Sequence, residues 1–99
     1  MASYQILYWH DIPVQVKAKV KRKRHSIELP QRFQIAVDNA AMEADITGTD
    51  GYLDAFVWTE PKSREGDEVT VAEAVAAELI EQIPRVDWRA TAEKIKTGG

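Results

Sequence analysis

The sequence contains no cysteine and only two histidines among its 99 residues. Without cysteine the chain forms no disulfide bond, has no thiol nucleophile and offers no thiolate to a metal ion. Its apolar runs are far shorter than the roughly 20 residues that cross a bilayer, and no basic segment precedes the N-terminal apolar stretch as it does in a secretory signal. We therefore expect a cytoplasmic protein with no membrane segment and no cofactor.

The residues that are present indicate one small globular domain. Hydrophobic residues make up 44% of the chain and charged residues 29%, and the length suits a single domain over residues 1–99. A domain of this size has a small core, so a deep substrate cavity is not expected. The net charge of -3 is unevenly distributed: residues 1–42 carry seven Lys or Arg against three Asp or Glu, and residues 43–81 carry two against eleven.

Residues 4–24 predict a pair of strands joined by a turn, and the rest of the predicted fold is built on this pair. In residues 4–9 both alternating sets of side chains are largely apolar, as in a central strand. In residues 14–21 small apolar residues alternate with lysine. Between them, Asp11 and Pro13 are the predicted structural determinants of the turn, because an aspartate accepts local backbone N–H groups and proline restricts its own φ.

Further along the chain, periodicity and capping signals predict three helices and one more strand. The predicted elements are a helix over residues 30–44, a loop over 45–51, a strand over 52–60, a polar loop over 61–68, a helix that follows a capping box of Thr70 and Glu73 and ends at Gln82, and a short helix over 88–96 capped by Asp87. The predicted fold is an α+β, ββαβα(α) two-layer sandwich. Its three-stranded mixed or antiparallel sheet has the order 2-1-3, carries the helices and places the lysine strand at an edge.

Six basic residues within eight positions support two interpretations. The cluster consists of Lys17, Lys19, Lys21, Arg22, Lys23 and Arg24. In the first interpretation, the strand lysines protect an exposed sheet edge from pairing with another chain. In the second, the cluster binds nucleic acid or another polyanion, and four successive basic residues exceed what edge protection needs. Because the acidic middle of the chain would repel the same ligand, nucleic-acid binding is the alternative hypothesis.

Large apolar residues on the predicted strands support the leading hypothesis, which is a non-enzymatic domain that docks on another protein. Trp9, Phe56 and Trp58, together with Leu7, are placed on a second sheet face that two short helices do not fully cover. Tryptophan-rich exposed patches commonly mark protein interfaces. The opposite interpretation is that the last helix covers this face through Trp88, and the sequence leaves both open.

His10, Asp11 and His25 are the candidate acid–base residues, and they do not suggest a reaction. Adjacent residues that leave a strand usually project apart, and no Gly-rich phosphate loop or recognisable nucleophile accompanies them. No catalytic residue and no metal ligand is therefore predicted, and an enzyme is the third hypothesis.

Three segments carry a family resemblance: YWHDIPVQV at residues 8–16, ELPQRFQIAVDNAAM at 28–42 and GTDGYL at 48–53. They resemble the bacterial domain family labelled virulence factor. The resemblance covers residues 4–60, which leaves residues 61–99 as an additional loop and C-terminal helices, and His10 stands where the family pattern has arginine. It implies a small domain that occurs alone or attached to HEAT-repeat proteins. It also implies an accessory subunit for a folate- or corrinoid-dependent one-carbon enzyme system.

Overall fold

The first two strands form the hairpin that the sequence predicts. Strand β1 spans Ala2–Trp9 and strand β2 spans Ile12–Val20, and they pair antiparallel in a computed structural model that describes residues 1–46 and 49–97. Trp9 pairs with Ile12, so only two residues make the turn. The first of them, His10, has a φ of 56°, the left-handed conformation that a tight two-residue hairpin turn requires.

A third strand follows directly and is absent from the predicted fold. Strand β3 spans Lys23–Glu28 and pairs antiparallel with β2 after a second two-residue turn. Lysine and arginine are weak indicators of a strand, and the turn lacks the glycine or asparagine that usually marks such a hairpin. Lys21 adopts the required left-handed φ of 54° instead. The basic run is therefore a hairpin and not simply a charge cluster.

The sheet is antiparallel and open, with the order β3-β2-β1-β4. Strand β4 spans Phe56–Trp58, and strand β5, Lys62–Arg64, pairs with the other end of β1. The α+β class is as predicted, but the count of three strands is wrong. The predicted neighbours of β1 are correct, whereas the lysine strand is not an edge strand, because β3 covers its outer side.

The chain between the first long helix and β5 differs most from the prediction. A short helix, α2, spans Thr49–Asp54, where a loop and then a strand were expected, and β4 contains only three residues of the predicted strand 52–60. Part of the predicted loop, residues 47–48, lies outside the described residues. Tyr52 of this helix packs against Trp9 and Phe56. A stretch that has the apolar composition of a strand is therefore partly helical and covers these two rings.

The three longer helices lie close to their predicted positions. They are α1, Gln31–Glu43, α3, Glu68–Gln82, and α4, Trp88–Lys96. Helices α1 and α3 pack on the sheet, and α4 packs on α1. The capping box predicted at Thr70 and Glu73 is wrong: the Asp67 carboxylate caps α3 by accepting a 2.7 Å bond from the Thr70 N–H, so the helix begins earlier.

The core lies between the helices and one face of the sheet, and Trp9 at the end of β1 belongs to it. Trp9 and Ala2 are almost completely buried, although they are seven positions apart and a regular strand places such residues on opposite faces. The pairing with β2 shifts between Leu7, which faces Gln15, and Tyr8, which faces Pro13, so β2 has one extra residue there. Beyond this bulge Trp9 pairs with the buried Ile12 and contacts Tyr52 of α2, so it is not exposed on a second face as predicted.

Candidate functional site

The open face of the sheet collects three basic side chains that are separated along the chain. Alternation places Lys17 and Lys19 on the face opposite to the buried Val16 and Ala18, against which the described helices pack. Pairing brings Arg24 directly beside Lys19. The resulting groove has a volume of about 470 Å³ and is lined by Ser3, Gln5, Lys17, Ala18, Lys19, Arg24, Ser26 and Pro61.

Trp58 fixes one of these basic groups. It pairs with Leu7 across β1 and β4, and the Lys17 ammonium lies 4.1 Å from the centroid of its ring. A cation over an indole is attracted by the negative face of the ring, typically by about 0.5–1 kcal/mol where solvent has access. The next residue holds β4 in place, because Thr59 O accepts a 2.8 Å bond from the Gln5 amide. The groove and the aromatic ring are therefore one surface.

All the charged side chains that line the groove are basic. Lys19 and Arg24 are direct cross-strand partners, and like charges in this position destabilise a sheet. No carboxylate lines the groove, and among the side chains that the structure describes neither Lys17, Lys19 nor Arg24 forms a salt bridge. Glu28 is on the same face but lies beyond Ser26, opposite Gln15. An anion in the groove would relieve the repulsion among the three cations.

Comparison with known families agrees with the resemblance described above. A family model with the description virulence factor matches residues 7–90, more than four fifths of the chain. The chain belongs to the virulence factor family. The match extends 30 residues past the segment on which the resemblance was based, through α3 and into α4. No match was found among the curated proteins or the solved structures.

In this virulence factor domain, the Leu-Pro-x-Arg-Phe segment joins the sheet to two helices. Leu29 and Phe33 are buried, and Pro30 precedes the first turn of α1, where its missing N–H leaves no bond unmade. Arg32 reaches across to α3 and donates hydrogen bonds of 3.3 Å and 3.2 Å to the carbonyls of Ile80 and Ile83. Since α3 has no basic residue in its last turn, Arg32 acts as its C-terminal cap.

The rest of the predicted basic cluster does not belong to the groove. Lys21 and Arg22 form the β2–β3 turn, and Lys23 pairs with Val20, whose side chain packs against the core. Lys23 is therefore on the opposite face from Arg24, its neighbour in the chain. The continuous basic run is divided by strand geometry into three different locations.

The predicted aromatic surface is also divided. Trp9 is 0% exposed, and its indole N–H donates a 2.9 Å bond to the backbone carbonyl of Tyr52. Phe56 is half-buried against the Tyr52 ring, and Trp58 is half-buried under Lys17. Trp88 is half-buried against the core at the start of α4, a helix that packs on α1 and not on the open face. Leu7 and Trp58 remain paired on the open face, whereas Trp9 is buried and Trp88 packs against the core, so the predicted second face is retained only in part.

Asp11 connects the β1–β2 turn to the last helix. Its carboxylate accepts a hydrogen bond from the buried Thr91 hydroxyl and a 3.0 Å bond from the Lys94 ammonium. Burial raises the pKa of Asp11, but the bonds from Thr91 and Lys94 and the Lys94 charge outweigh it, so this pKa falls below its ordinary value. Pro13 is fully buried in the same turn region. The bonds from α4 make the side chain a tertiary anchor, which sequence reasoning about the turn did not foresee.

The candidate acid–base residues do not form a common site. His10 is exposed in the β1–β2 turn, with its ring edge-on to Trp9, and His25 pairs with Ala18. Six residues of strand separate Ala18 from the turn, a distance of about 20 Å. The described part of the chain contains no group of three His, Asp or Glu residues that could hold a metal ion. Among the described residues, none of the helices combines the length and the hydrophobicity of a membrane-spanning segment.

Sequence reasoning missed the three polar side chains that line the groove beside the basic residues, Ser3, Gln5 and Ser26. Gln5, an isolated polar residue in an apolar strand, was the one local signal that was available. Ser3 and Ser26 are identified only by the cross-strand register.

A polar contact of Tyr52, outside the groove lining, was also missed. The Tyr52 hydroxyl donates a 3.0 Å bond to Asp38 and accepts one of 2.9 Å from Gln34. Burial raises the pKa of Tyr52, and the bond to Asp38 raises it further.

Proposed function

We propose that the open sheet face binds single-stranded nucleic acid. The observation that carries this proposal is the convergence of Lys17, Lys19 and Arg24 on one groove beside the Trp58 ring. Proteins that bind single strands without a fixed sequence combine a positive groove along the phosphates with an aromatic side chain for the bases. Ser3, Gln5 and Ser26 add hydrogen-bonding groups to the same surface.

The position of β2 supports the proposal over edge protection. Lysines that protect an edge need to be on an edge strand, and β2 lies between β1 and β3. An antiparallel sheet commonly exposes a polar face to water, but exposure to water alone does not explain why two like charges stand opposite each other. The Lys19–Arg24 pair lowers the stability of the fold, and an anion bound between the two side chains would offset this cost.

Salt dependence is the first test. Fluorescence anisotropy with labelled oligo-dT and oligo-U should detect binding at low salt that weakens as salt is added. Three phosphate contacts to a single strand correspond to a slope of about -2 in a plot of log K against log salt concentration. Quenching of Trp58 fluorescence on binding, absent in Trp58→Phe, would place the strand on the open face.

A matched pair of variants separates the groove from general charge. Lys19→Ala should reduce the salt slope by about 0.7, because one phosphate contact is lost. Lys23→Ala removes the same charge from the opposite face and should leave the slope unchanged. Equal effects of the two variants would contradict binding in the groove, and no binding of either oligonucleotide at low salt would refute the proposed function.

Docking on another protein remains a prediction from the sequence. The burial of Trp9 removes part of the exposed aromatic surface on which it rested. The accessory role beside a corrinoid or folate enzyme likewise remains a prediction, and it rests on the resemblance alone.

A further inference from the structure

The outer edge of β3 is a second unassigned surface. The sheet order ends at β3, so within the described residues this strand has a partner on one side only. Natural proteins usually blunt such an edge, because its unpaired N–H and C=O groups act as a template for another strand. Strand β3 is six residues long, and Arg24, Ser26 and Glu28 are all exposed on it.

The backbone pattern of the hairpin identifies the groups that point outward. The Leu29 N–H donates a 3.0 Å bond to the carbonyl of Val14, so Leu29 directs its backbone toward β2. In an antiparallel ladder this direction alternates from residue to residue. Arg24, Ser26 and Glu28 therefore direct their N–H and C=O groups away from β2, to the side where the sheet has no further strand among the described residues.

The outward residues of β3 are complementary to themselves. If the strand pairs antiparallel with an identical strand about Ser26, Arg24 of each chain stands opposite Glu28 of the other. Both pairings join opposite charges, and neither side chain has a salt-bridge partner among the side chains that the structure describes. A pairing centred on His25 would also join outward backbone groups, but it would place Arg24 opposite Ser26. Pairing about Ser26 therefore satisfies the backbone and sets Arg24 opposite Glu28.

We propose that a second copy of this chain pairs with β3 in that register. The dimer is isologous, with a two-fold axis at Ser26 that runs perpendicular to the sheet. This symmetry keeps the helices of both copies on one side and both open faces on the other. Pairs at residues 24, 26 and 28 supply about six backbone hydrogen bonds, and the two short sheets become one continuous sheet.

The helices leave room for this arrangement. Helix α3 packs on β1, β2 and β3, mainly on the last two, so it is centred inside β3 and not over the outer edge. A second strand can therefore pair with β3 without displacing α3 from the sheet.

The oligomeric state of the full chain tests the proposal. Sedimentation equilibrium over micromolar to millimolar concentrations should show a species of twice the 11.2 kDa chain mass. Arg24→Glu and Glu28→Arg each place like charges opposite one another, and each should raise the dimer dissociation constant at least tenfold. The double variant restores both pairings with reversed polarity and should restore the dimer.

A backbone variant gives an independent reading. Ser26→Pro removes an N–H that the monomer does not use for its own ladder, so the fold should persist while dimerisation is lost. Circular dichroism checks the fold. Single-chain mass at every concentration would overturn the proposal. A dimer whose dissociation constant is unchanged in all these variants, or one that the double variant fails to restore, would also overturn the proposal.

The dimer and the proposed nucleic-acid binding can fail separately. Glu28→Arg removes the dimer but leaves Lys17, Lys19 and Arg24 in place, so each chain should still bind an oligonucleotide. Lys19→Ala weakens the groove and leaves the β3 edge unchanged. Arg24 contributes to both surfaces, since a guanidinium has five N–H donors and can contact a carboxylate and a phosphate together.

Discussion

The two faces of the sheet are made by the same strands from opposite kinds of residue. On the helix-covered face, Trp9, Val16 and Ala18 are almost fully buried, and the described part of the chain leaves no buried side-chain polar atom without a hydrogen bond. On the open face, Lys17 and Lys19 alternate with those residues, and Lys19 stands directly opposite Arg24. The covered face is arranged for stability, whereas the open face keeps a repulsion between like charges that an opposite charge would relieve.

Truncation of Trp9 should have the largest effect on stability and so show the difference between the two faces most clearly. Trp9→Ala removes a fully buried indole and its bond to the Tyr52 carbonyl, and we expect a loss of about 3–5 kcal/mol in the free energy of unfolding. Trp58→Ala on the open face is the matched control and should cost far less. Urea denaturation measures both. Similar losses for the two variants would mean that the open face is part of the core.

The anchor of α4 should have the next largest effect. Replacing Asp11 and Pro13 together by alanine removes the bonds to Thr91 and Lys94 and a buried ring, and should cost about 1–3 kcal/mol. Lys17→Ala with Lys19→Ala should cost much less, because both side chains are on the open face. An unchanged urea midpoint in the Asp11 and Pro13 variant would show that the turn is not a determinant of the fold.

The contribution of the Asp11 carboxylate to the stability of the fold depends on pH. The pKa of Asp11 is lower in the folded protein than in the unfolded chain, so its contribution is complete above the unfolded value of about 3.9. The contribution is lost as the pH falls through the lowered folded value. The stability difference between the wild type and Asp11→Asn should therefore shrink in acid. A difference that stays constant from neutral pH to pH 2 would contradict the assigned ion pair.

Arg32 should have a smaller effect. Arg32→Met keeps most of the aliphatic stem and removes the bonds to the last carbonyls of α3, at an expected cost of about 0.5–1.5 kcal/mol. Arg22→Met is the control, because it changes the same charge in the exposed β2–β3 turn. Thermal denaturation of the two variants is sufficient, and equal melting temperatures would exclude a capping role.

The smallest effect has the opposite sign. Lys19→Glu converts a like-charge pair with Arg24 into an attractive one, so the fold should become more stable by about 0.2–1 kcal/mol. Oligonucleotide binding should become weaker in the same variant. Lys21→Glu changes an equal charge in the turn, outside the paired residues of the β2–β3 ladder, and should not stabilise the fold. If Lys19→Glu destabilises the fold, Lys19 and Arg24 do not repel each other in the way proposed.

The candidate site could be predicted only in part. Alternation in β2 is a local signal, and it correctly places Lys17 and Lys19 on one face. Arg24 was included in the basic cluster, but its separation from Lys23 depends on the turn at residues 21–22, which lacks the usual glycine or asparagine. Gln5 and Trp58 join the site through pairing between distant strands, and alternation within one strand contains no information about that register.

The long helices, the β1–β2 hairpin and the family could be predicted from the sequence by itself. The apolar spacing of α1 and α3, the Asp87 cap and the alternation of β2 act within a few residues, so they are visible in the chain. Only the tertiary structure decided that β2 is interior, that Trp9 is buried and that Asp11 bonds to α4. Each depends on contacts between residues that are far apart in the chain, and local alternation contains no information about them.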